Sequence, residues 1–225
     1  MRDHEGRAHH HQEDDRMRAD AQRNREKLRT AAAELFRERG FQVPLKEIAR
    51  RAGVSHGTLY NLFGSREALI DEVVTDLAAA CLDEIATAAL AHDDPWDGFV
   101  HYVESVCASQ AADPAISDVV TRRYPGAERL LAVCDKASGV AARIIERAQR
   151  AGALRADFTN EDLLYIFALN ALLARAAADA APDAWRRGIA FLLDGLRPGA
   201  AHPLPTAALT PDQVNRVMAN LAGTL

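Results

Sequence analysis

The side chains best suited to specific hydrogen bonding lie between residues 46 and 66. His56, Thr58 and Asn61 carry groups that can hydrogen-bond to the edges of bases. The phenol of Tyr60 and the guanidinium of Arg66 suit phosphate groups, which set the register of a protein on DNA without reading its sequence. The full set of residues predicted to contact DNA is Lys46, Ser55, His56, Gly57, Thr58, Tyr60, Asn61 and Arg66.

A short amphipathic helix is predicted just before these residues. Leu45, Ile48 and Ala49 recur at the i, i+3, i+4 spacing of one helical face. Pro44 stands at the first turn, where a missing N–H has no cost. Gly53 can adopt the left-handed conformation that ends a helix.

A second helix follows after one turn. Ser55 is a natural N-cap, because its hydroxyl can accept from an unpaired N–H of the first turn. Leu59, Leu62 and Phe63 form the buried stripe and leave the polar residues outside. Two such helices around a glycine turn indicate a helix-turn-helix, whose second helix enters the DNA major groove. A surface hairpin of two helices with an ordinary polar face is the simpler alternative.

Residues from about 19 to 74 resemble the N-terminal domain of the TetR family of transcriptional regulators. The matching runs are AAELF at 32–36, GF at 40–41, EIARRAGVS at 47–55, GTLY at 57–60, Phe63 and SREAL at 65–69. The resemblance implies an all-α protein, with a three-helix DNA-binding head joined by a long helix to a helical body that binds a ligand and dimerises. Asn61, Leu62, Gly64 and the short loop at 42–44 depart from the usual family residues, and these changes are predicted to alter the operator that is read.

The distribution of charge agrees with one basic end. The net charge of the 225 residues is −5. Residues 16–68 hold 12 Lys or Arg against 6 Asp or Glu, a net charge of +6, whereas the rest of the chain carries −11. This asymmetry is expected when only one end of a protein meets a polyanion.

Other classes of site are not indicated by the sequence. Cys81, Cys107 and Cys134 have no metal-binding spacing, and we expect ordinary buried thiols of a cytoplasmic protein. The chain shows no P-loop, paired acids or Ser-His-Asp order, so neither catalytic residues nor a cofactor are predicted. The N-terminus lacks the apolar segment of a secretory signal, and no apolar run is long enough for a membrane span.

Four regions are predicted. Residues 1–18, which include His9, His10 and His11, are polar and charged and are interpreted as a disordered arm. Residues 19–65 form the DNA-binding head and residues 66–197 the helical body. Residues 198–225 are a Pro/Ala-rich linker and a short helix that begins near Thr210.

The body is predicted to contain a pocket and a dimer interface. Middle-helix residues are the candidates for the pocket, and an ordinary core is the alternative for each of them: Trp96, Phe99, Tyr102, Val103, Val106, Cys107 and Tyr165. The helices from about 160 to 180 and 183 to 197 carry more apolar residues than one face needs. Those predicted to meet a second copy are Leu163, Phe167, Leu173, Ile189, Leu192, Leu193 and Leu196.

These features predict a homodimeric, cytoplasmic regulator that binds double-stranded operator DNA and is released from it by a small-molecule effector. A repressor is the first expectation. A transcriptional activator and an architectural DNA-binding protein that ignores small molecules remain open alternatives, with an enzyme using the body pocket as a remote third.

Overall fold

The computed structural model describes the backbone of residues 3–223 and the side chains of residues 15–199 and 201–222. Within these ranges the chain forms ten α-helices and no β-strand, which confirms the all-α fold class. The helices are α1 (Asp3–Arg39), α2 (Leu45–Ala52), α3 (His56–Phe63), α4 (Arg66–Ala91), α5 (Pro95–Ala112), α6 (Pro114–Thr121), α7 (Glu128–Arg150), α8 (Leu163–Ala177), α9 (Ala184–Gly195) and α10 (Pro211–Gly223).

Helix α1 differs from the sequence prediction at its start. It begins at Asp3, so residues 3–18 continue the helix where a disordered arm was predicted. The sequence there contains no proline, and Arg18 lies 4.0 Å from Asp15 as an i,i+3 ion pair of the kind that supports exposed helices. The side chains of His9, His10 and His11 lie outside the described residues.

Helices α5, α6 and α8 begin at caps formed by residues close to them in sequence. The Asp94 carboxylate accepts from the N–H groups of Trp96 and Asp97 at 2.7 and 3.0 Å, and Asp113 accepts from Ala115 N at 2.8 Å. In both cases proline occupies the first helical position, where its missing N–H leaves no bond unmade. Before α8, Asp162 accepts from the Thr159 N–H at 2.8 Å as part of a capping box.

The core of the head extends into the body. Leu35, Phe36, Ile48 and Leu59 are at most 1% exposed and bring α1, α2 and α3 together. Further residues of the same buried cluster come from α4, α6 and the start of α7: Leu69, Ile70, Val74, Ala78, Leu82, Ala115, Ile116, Val119 and Leu130. Burial of this apolar surface ties the position of the head to α4 and α6.

A second buried cluster fills the rest of the body. It joins α5, α7, α8 and α9 through residues such as Phe99, Val103, Ile144 and Trp185. The side-chain amide of Asn170 is also buried there, and it donates to Cys107 O at 3.1 Å and to Gln110 Oε1 at 2.9 Å. The body therefore has a well-packed interior that is separate from the joint with the head.

A buried carboxylate crosses that joint. Asp118 on α6 accepts a hydrogen bond of 2.7 Å from the N–H of Phe41, in the loop between α1 and α2. Its other oxygen lies 3.3 Å from the Arg122 guanidinium, and both side chains are less than a tenth exposed. Burial raises the pKa of Asp118, while the Phe41 N–H and the Arg122 charge favour the carboxylate and act in the opposite direction.

Gly40 makes this approach possible. Its φ is +74°, and a Cβ at this position would lie 2.5 Å from Asp118 Oδ2. A glycine is therefore required both by the backbone conformation and by the space that the carboxylate occupies.

Replacing the buried carboxylate by an amide should destabilise the chain. In Asp118→Asn the side chain keeps its size and an acceptor for Phe41, but Arg122 becomes a buried cation without its partner. We expect the free energy of unfolding to fall by about 3 kcal/mol, as measured by urea denaturation. The double variant Asp118→Asn with Arg122→Met removes both charges and should recover most of that loss. If the changes in the free energy of unfolding of the two single variants add up to that of the double variant, the two charges are not coupled.

Candidate nucleic-acid interface and ligand cavity

The turn between α2 and α3 has the predicted geometry. Gly53 adopts φ +67°, and the N–H of Val54 donates to Ala49 O at 3.0 Å, which satisfies a carbonyl at the end of α2. The Ser55 hydroxyl accepts from Thr58 N at 3.0 Å and thereby caps α3. These local bonds fix the direction in which α3 leaves the turn.

Arg25 on α1 holds the C-terminal end of α3. Its Nη1 donates to Leu62 O at 3.3 Å, and the guanidinium stacks 4.9 Å from the centre of the Phe63 ring. Its Nε donates to Glu72 on α4 at 2.9 Å, and this hydrogen bond lowers the pKa of Glu72. Sequence reasoning missed this positioning role, because the spacing from Arg25 to Glu72 carries no local signal.

The exposed face of α3 borders a surface groove. His56 and Tyr60 lie on it with ring centres 4.8 Å apart in an edge-to-face arrangement, and Tyr60 is 45% exposed. The other predicted residues that line the groove are Lys46 and Arg66. The structure thus brings two cationic side chains, from α2 and α4, and two aromatic side chains, from α3, to one surface.

The remaining predicted contacts lie beside the groove. Gly57 and Asn61 are exposed on α3, whereas Ser55 and Thr58 use their hydroxyls within the cap, with the two oxygens 2.8 Å apart. A Cβ on Gly57 would meet only Ser55 Oγ, at the ordinary contact distance of 3.7 Å. Packing therefore does not require glycine at this exposed position.

Arg66 has a structural role that sequence reasoning did not foresee. Its Nη1 donates to the carbonyls of Phe41 and Val43 at 2.6 and 2.7 Å. These bonds give both carbonyls a hydrogen-bond partner and hold the loop that precedes α2. Substitution of Arg66 would disturb that loop, so Lys46 is the cleaner residue for a test of phosphate binding.

Many cations of the head are neutralised within the chain. Arg39 pairs with Glu47 at 2.5 Å, and Arg51 pairs with Glu34 at 3.1 Å. The hydrogen bond from Arg39 lowers the pKa of Glu47. Fewer cations of the head are therefore free to meet a ligand than its 12 Lys and Arg residues suggest, which makes the exposed Lys46 beside α3 more significant.

The body contains a cavity of about 390 Å³. Tyr102 and Val106 line it, as predicted, and burial raises the pKa of Tyr102 to about 12, so its hydroxyl stays neutral at physiological pH. Its other walls come from α4, α6, α7, α8, α10 and the segments just after α6 and just before α8. The residues are Leu82, Val119, Val120, Arg123, Cys134, Asp135, Ala137, Ser138, Ala141, Asn160, Glu161, Leu163, Leu164, Phe167, Pro211, Val214, Asn215 and Met218.

The remaining pocket predictions are corrected by the structure. Trp96, Phe99, Val103 and Cys107 lie in the second core, where they pack against other apolar side chains instead of lining the cavity. Tyr165 is 53% exposed on the outer side of α8. Helical spacing identified apolar residues but could not show whether they face a cavity, a core or solvent.

The predicted dimer residues are also corrected in part. Four of them lie in the core of their own chain and are at most 6% exposed: Leu163, Phe167, Ile189 and Leu193. Leu196 is half-buried against that core, whereas Leu173 and Leu192 are exposed. The exposed apolar residues of the two helices, named here the α8/α9 face, are Tyr165, Leu169, Leu172, Leu173, Phe191 and Leu192.

The described residues form neither a metal site nor a membrane-spanning helix. Their His, Cys, Asp and Glu side chains form no cluster of three that could hold a metal ion. None of the described helices combines the length and the apolar character needed to cross a membrane.

Comparison with family profiles matches two segments of the chain. Residues 28–73 match the family described as bacterial regulatory proteins, tetR family. Residues 94–198 match the family described as transcriptional regulator SbtR-like, C-terminal domain.

The curated relatives are similar over the N-terminal region. The transcriptional regulator UidR of Escherichia coli is 33% identical over 96 residues, which are 42% of this chain and 45% of that protein. The match therefore spans less than half the length of this relative.

Solved structures share the fold over most of the chain. FadR from Bacillus subtilis, in complex with stearoyl-CoA, has a TM-score of 0.57 at 13% identity, and the match covers 79% of this chain and 99% of that one. RolR, in complex with resorcinol, has a TM-score of 0.51 at 23% identity, with coverage of 84% and 99%.

The groove beside α3 leads to a prediction for Lys46. Lys46→Ala should weaken binding to all DNA sequences and lower the slope of log K against log salt by about 0.9, since one phosphate contact is lost. The measurement is fluorescence anisotropy over a salt series. The control is Lys136→Ala, which removes the same charge from the body, where Lys136 pairs with Asp83 at 2.7 Å. An equal change of slope in both variants would contradict a phosphate contact at Lys46.

Proposed function

Because the chain belongs to the TetR family of transcriptional regulators, we propose that it is a cytoplasmic, homodimeric repressor that a small molecule releases from its operator. The observation that carries the proposal is the shared buried core. It joins a head with an exposed recognition helix to a body with a cavity. A change at the cavity can therefore move the helix that meets DNA.

Helix α3 is the proposed reader of the operator. Asn61 and His56 can hydrogen-bond to base edges in the major groove, while Lys46 and Tyr60 lie where they can hold the backbone. Gly57 supports this orientation, because glycine disfavours a helix and no packing in the chain requires it there. Close approach of a DNA backbone to α3 would explain why a glycine occupies position 57.

The α8/α9 face is the proposed dimer interface. On α8 the exposed Tyr165, Leu169 and Leu172 recur at helical spacing, opposite the buried side. On α9, a Cβ at Gly188 would lie 3.7 Å from Leu173 Cδ2, so α8 and α9 are in close contact here and can present one apolar surface. A large exposed apolar patch marks an interface, and two heads are needed for half-sites about one helical turn apart.

Helix α6 is the proposed connection between cavity and head. Val119 and Val120 form part of the cavity wall, and the adjacent Asp118 holds the N–H of Phe41. A ligand that favours another position of α6 must carry the loop before α2 with it, since the carboxylate is buried and paired. The heads of a dimer would then no longer match the half-site spacing.

The proposed release has an energetic requirement. A ligand shifts an equilibrium only by the difference in its affinity for the two states. Moving the protein from mostly DNA-bound to mostly free needs a preference of about 10⁴-fold, or about 5.5 kcal/mol. That FadR and RolR are described with stearoyl-CoA and resorcinol bound supports a small molecule as the effector of this fold.

Selection of bound fragments from genomic DNA tests the proposal. We expect enrichment of two-fold related half-sites with centres about 10 base pairs apart. Asn61→Ala should change the preferred base at one position of each half-site, because the bidentate contact of its amide is lost. Enrichment without any sequence preference would favour the architectural alternative, and reporter expression that rises with the protein would favour an activator.

A charge on the α8/α9 face should give monomers. Leu172 is 61% exposed, so Leu172→Glu should leave the fold intact and shift the mass measured by sedimentation equilibrium to that of one chain. Leu204→Glu is the matched control, because Leu204 is 51% exposed in the linker. The same charge at Leu193, which is buried, would instead destabilise the chain. A dimer that survives Leu172→Glu would place the interface elsewhere.

A further inference from the structure

Helix α10 lies outside both segments that match the family profiles, which end at residue 198. Pro211, Val214, Asn215 and Met218 on this helix nevertheless line the cavity. We propose that α10 is a closing wall of the effector site, and that the site takes an amphipathic small molecule. The inference rests on the proposed function in treating the cavity as the effector site, and its test needs neither DNA nor a known effector.

The sequence builds α10 as a helix with one apolar side. Thr210 and Gln213 cap its start reciprocally, with Thr210 N donating to Gln213 Oε1 at 2.8 Å and Gln213 N donating to Thr210 Oγ1 at 3.3 Å. Val214 and Met218, four residues apart, are half-buried against the body. Val217, between them in sequence, is 37% exposed.

Polar bonds fix the register of α10 on the body. The backbone N–H of Arg123, just after α6, donates to Met218 O at 3.3 Å, and its Nε donates to Asn215 Oδ1 at 3.0 Å. The Arg123 guanidinium also pairs with Asp135 on α7 at 2.7 Å. One arginine thus joins α10 to two helices that form the cavity.

The attachment of α10 is limited, which suits a wall that can move. The linker at residues 201–208 is exposed, and Arg155 Nη2 holds it by a hydrogen bond of 2.8 Å to His202 O. The residues of α10 that face the cavity belong to neither buried cluster. Outward movement of this part of the helix would therefore leave both cores packed, as is typical of segments with low local stability.

The far end of α10 meets the DNA-binding head. Ala222 packs against the core shared by head and body, and its carbonyl accepts from Gln42 Nε2 at 2.7 Å. Gln42 lies in the same loop as Phe41, which Asp118 holds. A ligand that displaces α10 would thus disturb the entry to α2 from a second side.

The lining of the cavity indicates the class of ligand. Leu82, Val106 and Phe167 provide apolar walls, whereas Arg123 and Asn215 lie together where α10 meets the body. An apolar molecule with one hydrogen-bonding end group would satisfy both regions. Tyr102 adds a neutral hydroxyl to this mixed surface.

Cys134 provides a built-in reporter of closure. It lines the cavity on α7, its Sγ lies 3.9 Å from Val119 O, and burial raises its pKa. The thiol is only partly buried, and we expect this partial burial and the raised pKa together to slow its alkylation while α10 is in place. Cys107 is a matched internal control, because it lies in the second core and its pKa is raised to about 12 by burial.

The experiment measures N-ethylmaleimide alkylation of the full chain, resolved by residue with peptide mass spectrometry. Val214→Asp places a charge on the inner side of α10 and should raise the rate at Cys134 by about tenfold. Arg216→Asp places the same carboxylate on the opposite, exposed side of the helix and should leave that rate within about twofold. Addition of N-phenylnaphthylamine, an apolar molecule with one hydrogen-bonding amine, should slow alkylation of Cys134 in the unmodified chain.

Several results would overturn the inference. Cys134 in the unmodified chain could react as fast as in urea, or the two aspartate variants could change its rate equally. The charge in Val214→Asp could unfold the chain, and faster alkylation of Cys107 would reveal such unfolding. Met218→Ser is therefore a second variant, with a milder change on the same inner side of α10. An unchanged Cys134 rate in this variant and in Val214→Asp would show that α10 does not close the cavity, and a lack of protection by N-phenylnaphthylamine would reject the ligand class. Neither result depends on operator binding. If the selection from genomic DNA enriched no operator, that outcome would contradict the proposed function and leave the role of α10 unaffected.

Discussion

The Asp118 carboxylate lies between the two halves of the chain, accepts a hydrogen bond from Phe41 N–H and pairs with the buried Arg122. A buried charge is tolerated only where partners are held in place, so α6, the loop before α2 and Gly40 must keep one arrangement. The apolar core around this contact contains residues of the head, α4 and α6. The orientation of α3 therefore depends on how the head packs against α4 and α6. This constraint connects the cavity beside α6 to the head that holds α3, the proposed reader of the operator.

A second constraint acts on the apolar helix faces, because a face that packs inside its own chain is not available to a second copy. On α8 the side with Leu163 and Phe167 packs inside the chain, which leaves Leu169 and Leu172 outside. The cavity is found where neither core closes, between α6, α7, α8 and α10. Interior, proposed interface and cavity thus draw on the same set of apolar helices. The interior and the cavity also share residues, since Leu163 and Phe167 belong to the second core and line the cavity.

Much of the fold was predictable because its signals are local. The caps at Asp94, Asp113, Thr159 and Thr210 each involve residues within three positions, and the structure contains all of them. The turn at Gly53 and the cap at Ser55 belong to the same class. Predictions that depended on which side of a helix faces which neighbour were less accurate. Tyr165 and Leu193 exchanged their expected environments, exposed for one and buried for the other.

By itself, the sequence determined the helices, the helix-turn-helix and the resemblance that points to DNA, because hydrophobic period, capping and glycine turns act over a few residues. Only the tertiary structure decided that Arg25 anchors α3, that Arg66 holds a loop, and that α10 returns to the cavity. These contacts join residues that are between about twenty and more than a hundred positions apart. Their partners are chosen by the packing of whole helices, and no local spacing records that choice.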